Sequence, residues 1–138
     1  MSKSNVFEKE EKILCARCGK DLMLEPQMAM VQIVDDMTTN KITRIVPCCK
    51  GECDDLLKLR LEGNESDGWK DLSEFINPIL YLKHIMSVLN SMYDGVGFAN
   101  QEAFEEYKSL VIRCYPYVTR DMTEEEIRSC EISFMYPF

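Results

Sequence analysis

The sequence predicts an α+β fold: an N-terminal module of knuckle, β-hairpin and short helix, stapled by cysteines, followed by a small helical subdomain. Three observations predict it. Cysteines cluster twice in the first half, at Cys15/Cys18 and at Cys48/Cys49/Cys53. Two β-rich runs lie between the clusters. Beyond residue 77, apolar residues recur at helical spacing.

Residues 1–12 are polar and charged and read as a frayed arm or a short helix start, with no apolar core of the kind a secretory signal needs. Ile13 to Lys20 (ILCARCGK) reads as a tight loop. Met28–Val34 and Ile42–Val46 read as strands, and the polar stretch between them closes a hairpin. Pro47 is expected to end the second strand, since proline cannot donate to a ladder. A short helix is expected from about Cys53 to Glu62, with Asp54 and Asp55 in its first turn and Gly63 as its stop. The Gly-bracketed run 63–68 (GNESDG) reads as a linker, dividing the chain into 1–62 and an acidic helical subdomain over 63–138.

Trp69–Ile76 reads as a short helix. Asn77-Pro78 is a start signal, with asparagine as N-cap and proline in the first helical position. In the helix that follows, Ile79, Leu82, Met86, Leu89 and Tyr93 share one face, while Leu80, Ile85, Val88 and Met92 lie largely outside it. Such wide apolar coverage predicts burial on several sides, as a central helix or as a subunit interface. Asp94–Phe98 is a loop. Asn100 is expected to cap a helix to about Cys114, with Phe104, Tyr107, Leu110 and Val111 on one face and Pro116 as its end. Thr123 and Glu126 form a capping box for a last helix. The apolar tail 133–138 must pack on something.

Composition narrows the function classes. No stretch approaches the roughly 20 apolar residues that span a bilayer. Together with the polar N-terminus this predicts a reducing cytoplasm, where clustered cysteines bind metal more often than they form disulfides. The net charge is −8, carried unevenly: residues 1–62 hold 10 basic and 11 acidic side chains, and residues 63–138 hold 6 and 13. An acidic surface repels nucleic-acid backbones and suits a basic protein partner.

Cys15-Ala-Arg-Cys18-Gly19 places two thiolates on one tetrahedral ion, with a glycine that lets the backbone turn beneath them. Cys49 and Cys53 supply a second pair, and Cys48 is an alternative ligand. Four soft ligands at these spacings predict one structural Zn2+. A set of unligated thiols, or a redox CxxC, is the plainer reading, but no thioredoxin-like βαβ setting surrounds it. Knuckle, hairpin and a second pair at a helix start resemble the treble-clef zinc finger over residues 13–62. The resemblance implies that the second pair sits in the helix's first turn. The chain departs from the usual pattern by placing three residues, rather than two, within that pair. A zinc ribbon, with both pairs on knuckles, is the competing topology.

Four thiolates close a zinc ion and leave no position for water, so the expected site is structural and the chain non-enzymatic. No P-loop, nucleophile elbow, dinucleotide fingerprint or zinc-deaminase signature occurs. The single histidine, His84, reads as a core-edge or interface residue, and Cys114 and Cys130 as buried small hydrophobes. The acidic runs Glu102/Glu105/Glu106 and Glu124–Glu126 read as helix surface and first-turn residues.

The sequence therefore points to a zinc-stabilised protein–protein interaction module. It would be an adaptor, or an acidic inhibitor of a nucleic-acid-handling or defence protein of the kind phages encode. The partner would carry a basic surface. A homodimer through residues 78–93 is a further expectation. The alternative is a nucleic-acid-binding transcription regulator whose zinc module presents Arg17, Lys20, Lys41, Arg44, Lys50, Lys58 and Arg60.

Overall fold

The computed structural model describes residues 12–118 and 123–135. Its organising element is a three-stranded antiparallel sheet of order β2-β1-β3, with β1 at Ala29–Asp36, β2 at Ile42–Cys49 and β3 at Glu65–Asp71. The α-helices among the described residues are α1 (Glu52–Lys58), α2 (Pro78–Tyr93), α3 (Gln101–Val118) and α4 (Glu124–Met135). Short 3-10 turns cover Leu22–Leu24, Pro26–Met28 and Leu72–Phe75. The fold mixes α and β as the sequence predicts. The expectations for the N-terminal arm up to residue 11 and for the packing of the tail over 133–138 lie outside what is described.

Strand β1 is central, which explains why Ala29, Met30, Val31, Gln32 and Val34 are all buried rather than alternating. Its hairpin to β2 turns on Asp36, whose Oδ1 accepts the backbone N–H of Thr38 at 2.7 Å, and on Asn40 at φ +60°. Pro47 does not end β2. The strand continues to Cys49, with Pro47 opposite Val31. Strand β2 is an edge, and the Pro47 carbonyl accepts Ala16 N–H from outside the sheet. Backbone N and O of one strand residue point the same way, so the missing N–H faces away from β1 and costs the ladder nothing.

Residues 63–68 are not a linker. Gly63, at φ +52°, turns the chain back, and Glu65–Asp71 pairs along β1 from Asp36 to Met30. The sheet thus draws strands from both sides of residue 62. The helix expected over 69–76 shrinks to the turn Leu72–Phe75, which drives Leu72 and Phe75 into the deepest part of the core. Helix α1 stops at Lys58, short of Glu62.

Helix α2 begins as read, with Asn77 Oδ1 accepting Ile79 N–H at 3.0 Å and Leu80 N–H at 3.1 Å. It is not a central helix: none of its residues is buried. Only its inner side is tied down. Tyr81 donates its hydroxyl to the Val111 carbonyl at 2.9 Å, and Val88 packs at the core margin. Helix α3 buries Tyr107 and Leu110 as expected, together with Ala103 and Cys114, while Phe104 and Val111 are half-buried at the edge of that face. It runs past Pro116 to Val118. The buried ring of Pro116 is itself part of the packing, and the proline withholds only the N–H that would have met Ile112. The capping box before α4 is present: Thr123 Oγ1 accepts Glu126 N–H at 3.1 Å, and Glu126 accepts Thr123 N–H at 3.1 Å.

Candidate metal centre

The first cysteine pair sits at the tip of a miniature hairpin. Leu22 N–H donates to the Ile13 carbonyl at 2.8 Å, and Cys15 N–H to Lys20 at 2.9 Å. The turn closes through Gly19 N–H to the Cys15 carbonyl at 2.9 Å, with Gly19 at φ +77°. Ile13 and Leu22 are buried and hold the base of this knuckle in the core. Ala16 N–H, bonded to the Pro47 carbonyl at 2.9 Å, fastens its tip to β2.

The second pair straddles a strand-to-helix corner. Cys49 is the last residue of β2, and Cys53 is the second residue of α1. Between them Gly51 takes φ +98° and ψ −116°, a conformation open essentially to glycine. Asp54 accepts the Gly51 N–H, so a side chain of α1 ties the corner to the helix. The unusual spacing of three follows from this corner: one ligand comes off a strand, the other off a helix. Strand alternation separates Cys48 from Cys49. Cys48 points into the core, fully buried opposite Met30, and lies outside the cluster.

The sulfurs of Cys15, Cys18, Cys49 and Cys53 all lie within 4.8 Å of one another and could hold a metal ion. Cys18 Sγ and Cys49 Sγ are 3.7 Å apart. A disulfide would need about 2.05 Å. A tetrahedron of thiolates at about 2.3 Å from a zinc ion has edges of about 3.8 Å. The donor set and its spacing therefore fit a tetrahedral thiophilic cation.

The electrostatics also call for a cation. Burial opposes ionisation of Cys15, but the backbone N–H groups of Cys18, Cys49 and Arg17 outweigh it and bring the thiol down to about 6. Cys49 is pushed up to about 12, first by burial and then by Cys18 and Cys15. At Cys53 the Arg17 side chain favours the thiolate most strongly. Burial and the sulfurs of Cys15 and Cys18 nevertheless leave it above its ordinary value. One thiolate thus makes the next expensive. A dication at the centre removes that mutual repulsion. Cys48 is pushed up to about 12 by burial, as suits a thiol that stays protonated in the core.

Sequence reasoning missed the role of Arg17. Its Nη1 lies 3.7 Å from Cys53 Sγ, with Glu52 flanking it at 3.9 Å. A cation between the two cysteines of the knuckle is the signal that could have found it. Other basic residues of this half are also engaged: Lys20 with Glu25, Arg44 with Glu65, Lys50 with Asp71 and Lys58 with Asp54.

The remaining candidate residues lie elsewhere. His84 stacks between Phe75, at 4.5 Å, and Tyr107, at 5.6 Å, and neither ring nitrogen has a hydrogen-bond partner among the described residues. It forms no dyad with Cys114, which is buried on α3 with its thiol pushed up to about 12 by burial. Cys130 is half-buried on α4, away from the cluster. Glu124–Glu126 occupy the first turn of α4. Glu102 opens α3, Glu105 pairs with Lys108 at 2.9 Å, and Glu106 accepts Ile45 N–H at 3.1 Å.

Comparison with protein-family models, with curated proteins and with solved structures finds no match for this chain. Among the described residues no helix is long and apolar enough to cross a membrane.

Proposed function

We propose that the four cysteines hold one structural zinc ion in a treble-clef-like setting, and that the folded chain is a non-enzymatic interaction module for a protein with a basic, partly apolar surface. The observation that carries this reading is a cleft of about 620 Å³ beside the metal centre, between the knuckle, β2 and α3. Ile45, Pro47 and Leu110 give it an apolar floor, and Glu102, Glu105 and Glu106 outnumber the one cation, Arg113, along its α3 side. Leu14, half-exposed, stands at its edge on the knuckle.

The chemistry of that cleft is recognition rather than reaction. Four thiolates complete the coordination of zinc and leave no site for a substrate. The carboxylates sit over apolar surface, which suits a lysine or arginine whose aliphatic stem lies on the floor. The metal fixes the knuckle, and the knuckle forms one wall, so zinc supports the surface without touching the partner. An adaptor and an acidic inhibitor of a nucleic-acid-handling protein would share this chemistry. The acidic balance of the chain, 24 acidic against 16 basic side chains, favours it over a nucleic-acid-binding reading.

Two measurements test the proposal. Native mass spectrometry of the chain purified without chelator should show one zinc per chain. Affinity purification should then retain a protein partner that Glu102→Lys with Leu14→Asp releases while the zinc content is unchanged. A chain that folds without metal, or a partner indifferent to both substitutions, would overturn it. Co-purifying nucleic acid shed steeply by salt would favour a zinc-finger nucleic-acid-binding regulator instead.

A further inference from the structure

Among the described residues, helix α2 presents a seam with nothing packed against it. Ile79, Leu82, Met86, Leu89 and Tyr93 are spaced three and four apart in alternation, the a/d pattern of a coiled-coil contact. All five are exposed, from 54% at Met86 to 92% at Tyr93. Met92 borders the strip and is also exposed. The opposite side of the helix is anchored by Tyr81, His84 and Val88, so the seam is displayed by a helix already in place.

We infer that this seam is the contact face of a two-fold dimer, in which α2 of one protomer lies on α2 of its partner. Three features favour a second copy over another partner. The first is charge. The chain carries 24 acidic residues, and none falls between 78 and 93, where Lys83 is the one charged side chain. Two strongly acidic molecules can approach closely only where their acids are absent. The second is the flanks. Positions beside a coiled-coil seam select a partner by charge, and here they are Lys83, Ile85, Asn90 and Met92, with no acidic set for a distinct helix to complement. The third is size. The five seam side chains and Met92 offer at most on the order of 800 Å², the scale of what each partner contributes to a standard interface.

A two-fold contact needs one self-complementary patch, and an uncharged a/d strip is such a patch. Two heptads would not hold free peptides together. Here the fold has already ordered both helices, so association does not bear the cost of forming them. The inference is independent of the cleft beside the metal centre, and either can fail without the other.

Sedimentation equilibrium of the full, metal-loaded chain decides it, from about 1 to about 100 µM, since a dimer population depends on concentration. The expected mass is twice the 16.1 kDa of one chain. Leu82→Glu with Leu89→Glu should weaken association by about a hundredfold or more, because each would bury an unpaired charge, and should leave zinc content and the far-ultraviolet circular dichroism unchanged. If that double variant loses its metal or its helix signal, Tyr93→Ala, at the most exposed seam position, reads the same contact and should weaken the dimer about tenfold. A monomer throughout the range overturns the inference, whether the seam is bare or sheltered by another part of the chain. So does a dimer that none of these substitutions weakens.

Discussion

The guanidinium of Arg17 lies 3.7 Å from the sulfur of Cys53, so the knuckle that supplies two cysteines also supplies the cation beside a third. This contact joins the two halves of the centre before any metal is considered. Arg17→Ala should leave metal stoichiometry intact and weaken apparent zinc affinity by about tenfold, the lower end of what a supporting contact to a ligand is worth. Competition against a chromophoric chelator reads the change. Lys20→Ala, two residues beyond Cys18, should leave affinity unchanged.

Cys48 and Cys49 are neighbours in sequence and opposites in role. Cys49→Ser should abolish stoichiometric zinc binding, as should Cys15→Ser, Cys18→Ser and Cys53→Ser. Cys48→Ala should keep one zinc per chain and lower stability by about 1 kcal/mol, the cost of a small cavity in the core. Metal analysis alongside urea melts separates the two outcomes. Loss of zinc from the Cys48 variant would reassign the ligand set.

Gly51 turns the strand-to-helix corner at φ +98° and ψ −116°. A Cβ there meets no heavy atom within 4 Å, so the penalty for Gly51→Ala is backbone strain alone. The expected loss is about 1–3 kcal/mol, accompanied by weaker zinc binding, because the corner sets the distance between Cys49 and Cys53. Gly68→Ala, at a glycine on the exposed β3 with open space and no positive φ, is the control and should change little.

His84 provides a pH dependence with a definite sign. Burial holds its pKa below the ordinary value, with Lys70 adding to that effect and Glu74 opposing it. The native state therefore binds fewer protons than the unfolded chain. The stability this neutral ring contributes is fully present above the unfolded value, about 6.5, and is lost as pH falls through the lowered folded value. Between those values the slope approaches about 1.4 kcal/mol per pH unit. His84→Phe keeps the ring between Phe75 and Tyr107 and should flatten that slope. Paired urea titrations of the two proteins from about pH 7.5 to 5.5, each at saturating zinc, give the difference. Parallel curves would show that His84 does not titrate on unfolding.

The elements read best from sequence were those marked by local chemistry. Asn77-Pro78 and Thr123 with Glu126 start their helices as expected, because caps are satisfied by residues two or three positions away. Each cysteine pair was legible for the same reason, since short spacings bring its two sulfurs together, whereas Cys18 and Cys49 meet across 31 residues only because the hairpin returns the chain. The elements misread depend on partners distant in the chain. Glu65–Asp71 spans the end of the expected linker and the start of the expected short helix, and becomes a strand only because β1 has a free edge to offer. Pro47 looks like a stop and is tolerated because β2 is the outer strand.

By itself, then, the sequence determined the mixed α and β fold, the helix starts and the candidate ligands Cys15, Cys18, Cys49 and Cys53. These follow from capping, periodicity and ligand spacing, all short-range. Only the tertiary structure decided that Cys48 faces the core, that Arg17 stands beside Cys53, and that the apolar stripe of α2 faces outward. Which side of a strand or helix is covered depends on what packs against it, and that is settled by contacts between residues far apart in the chain.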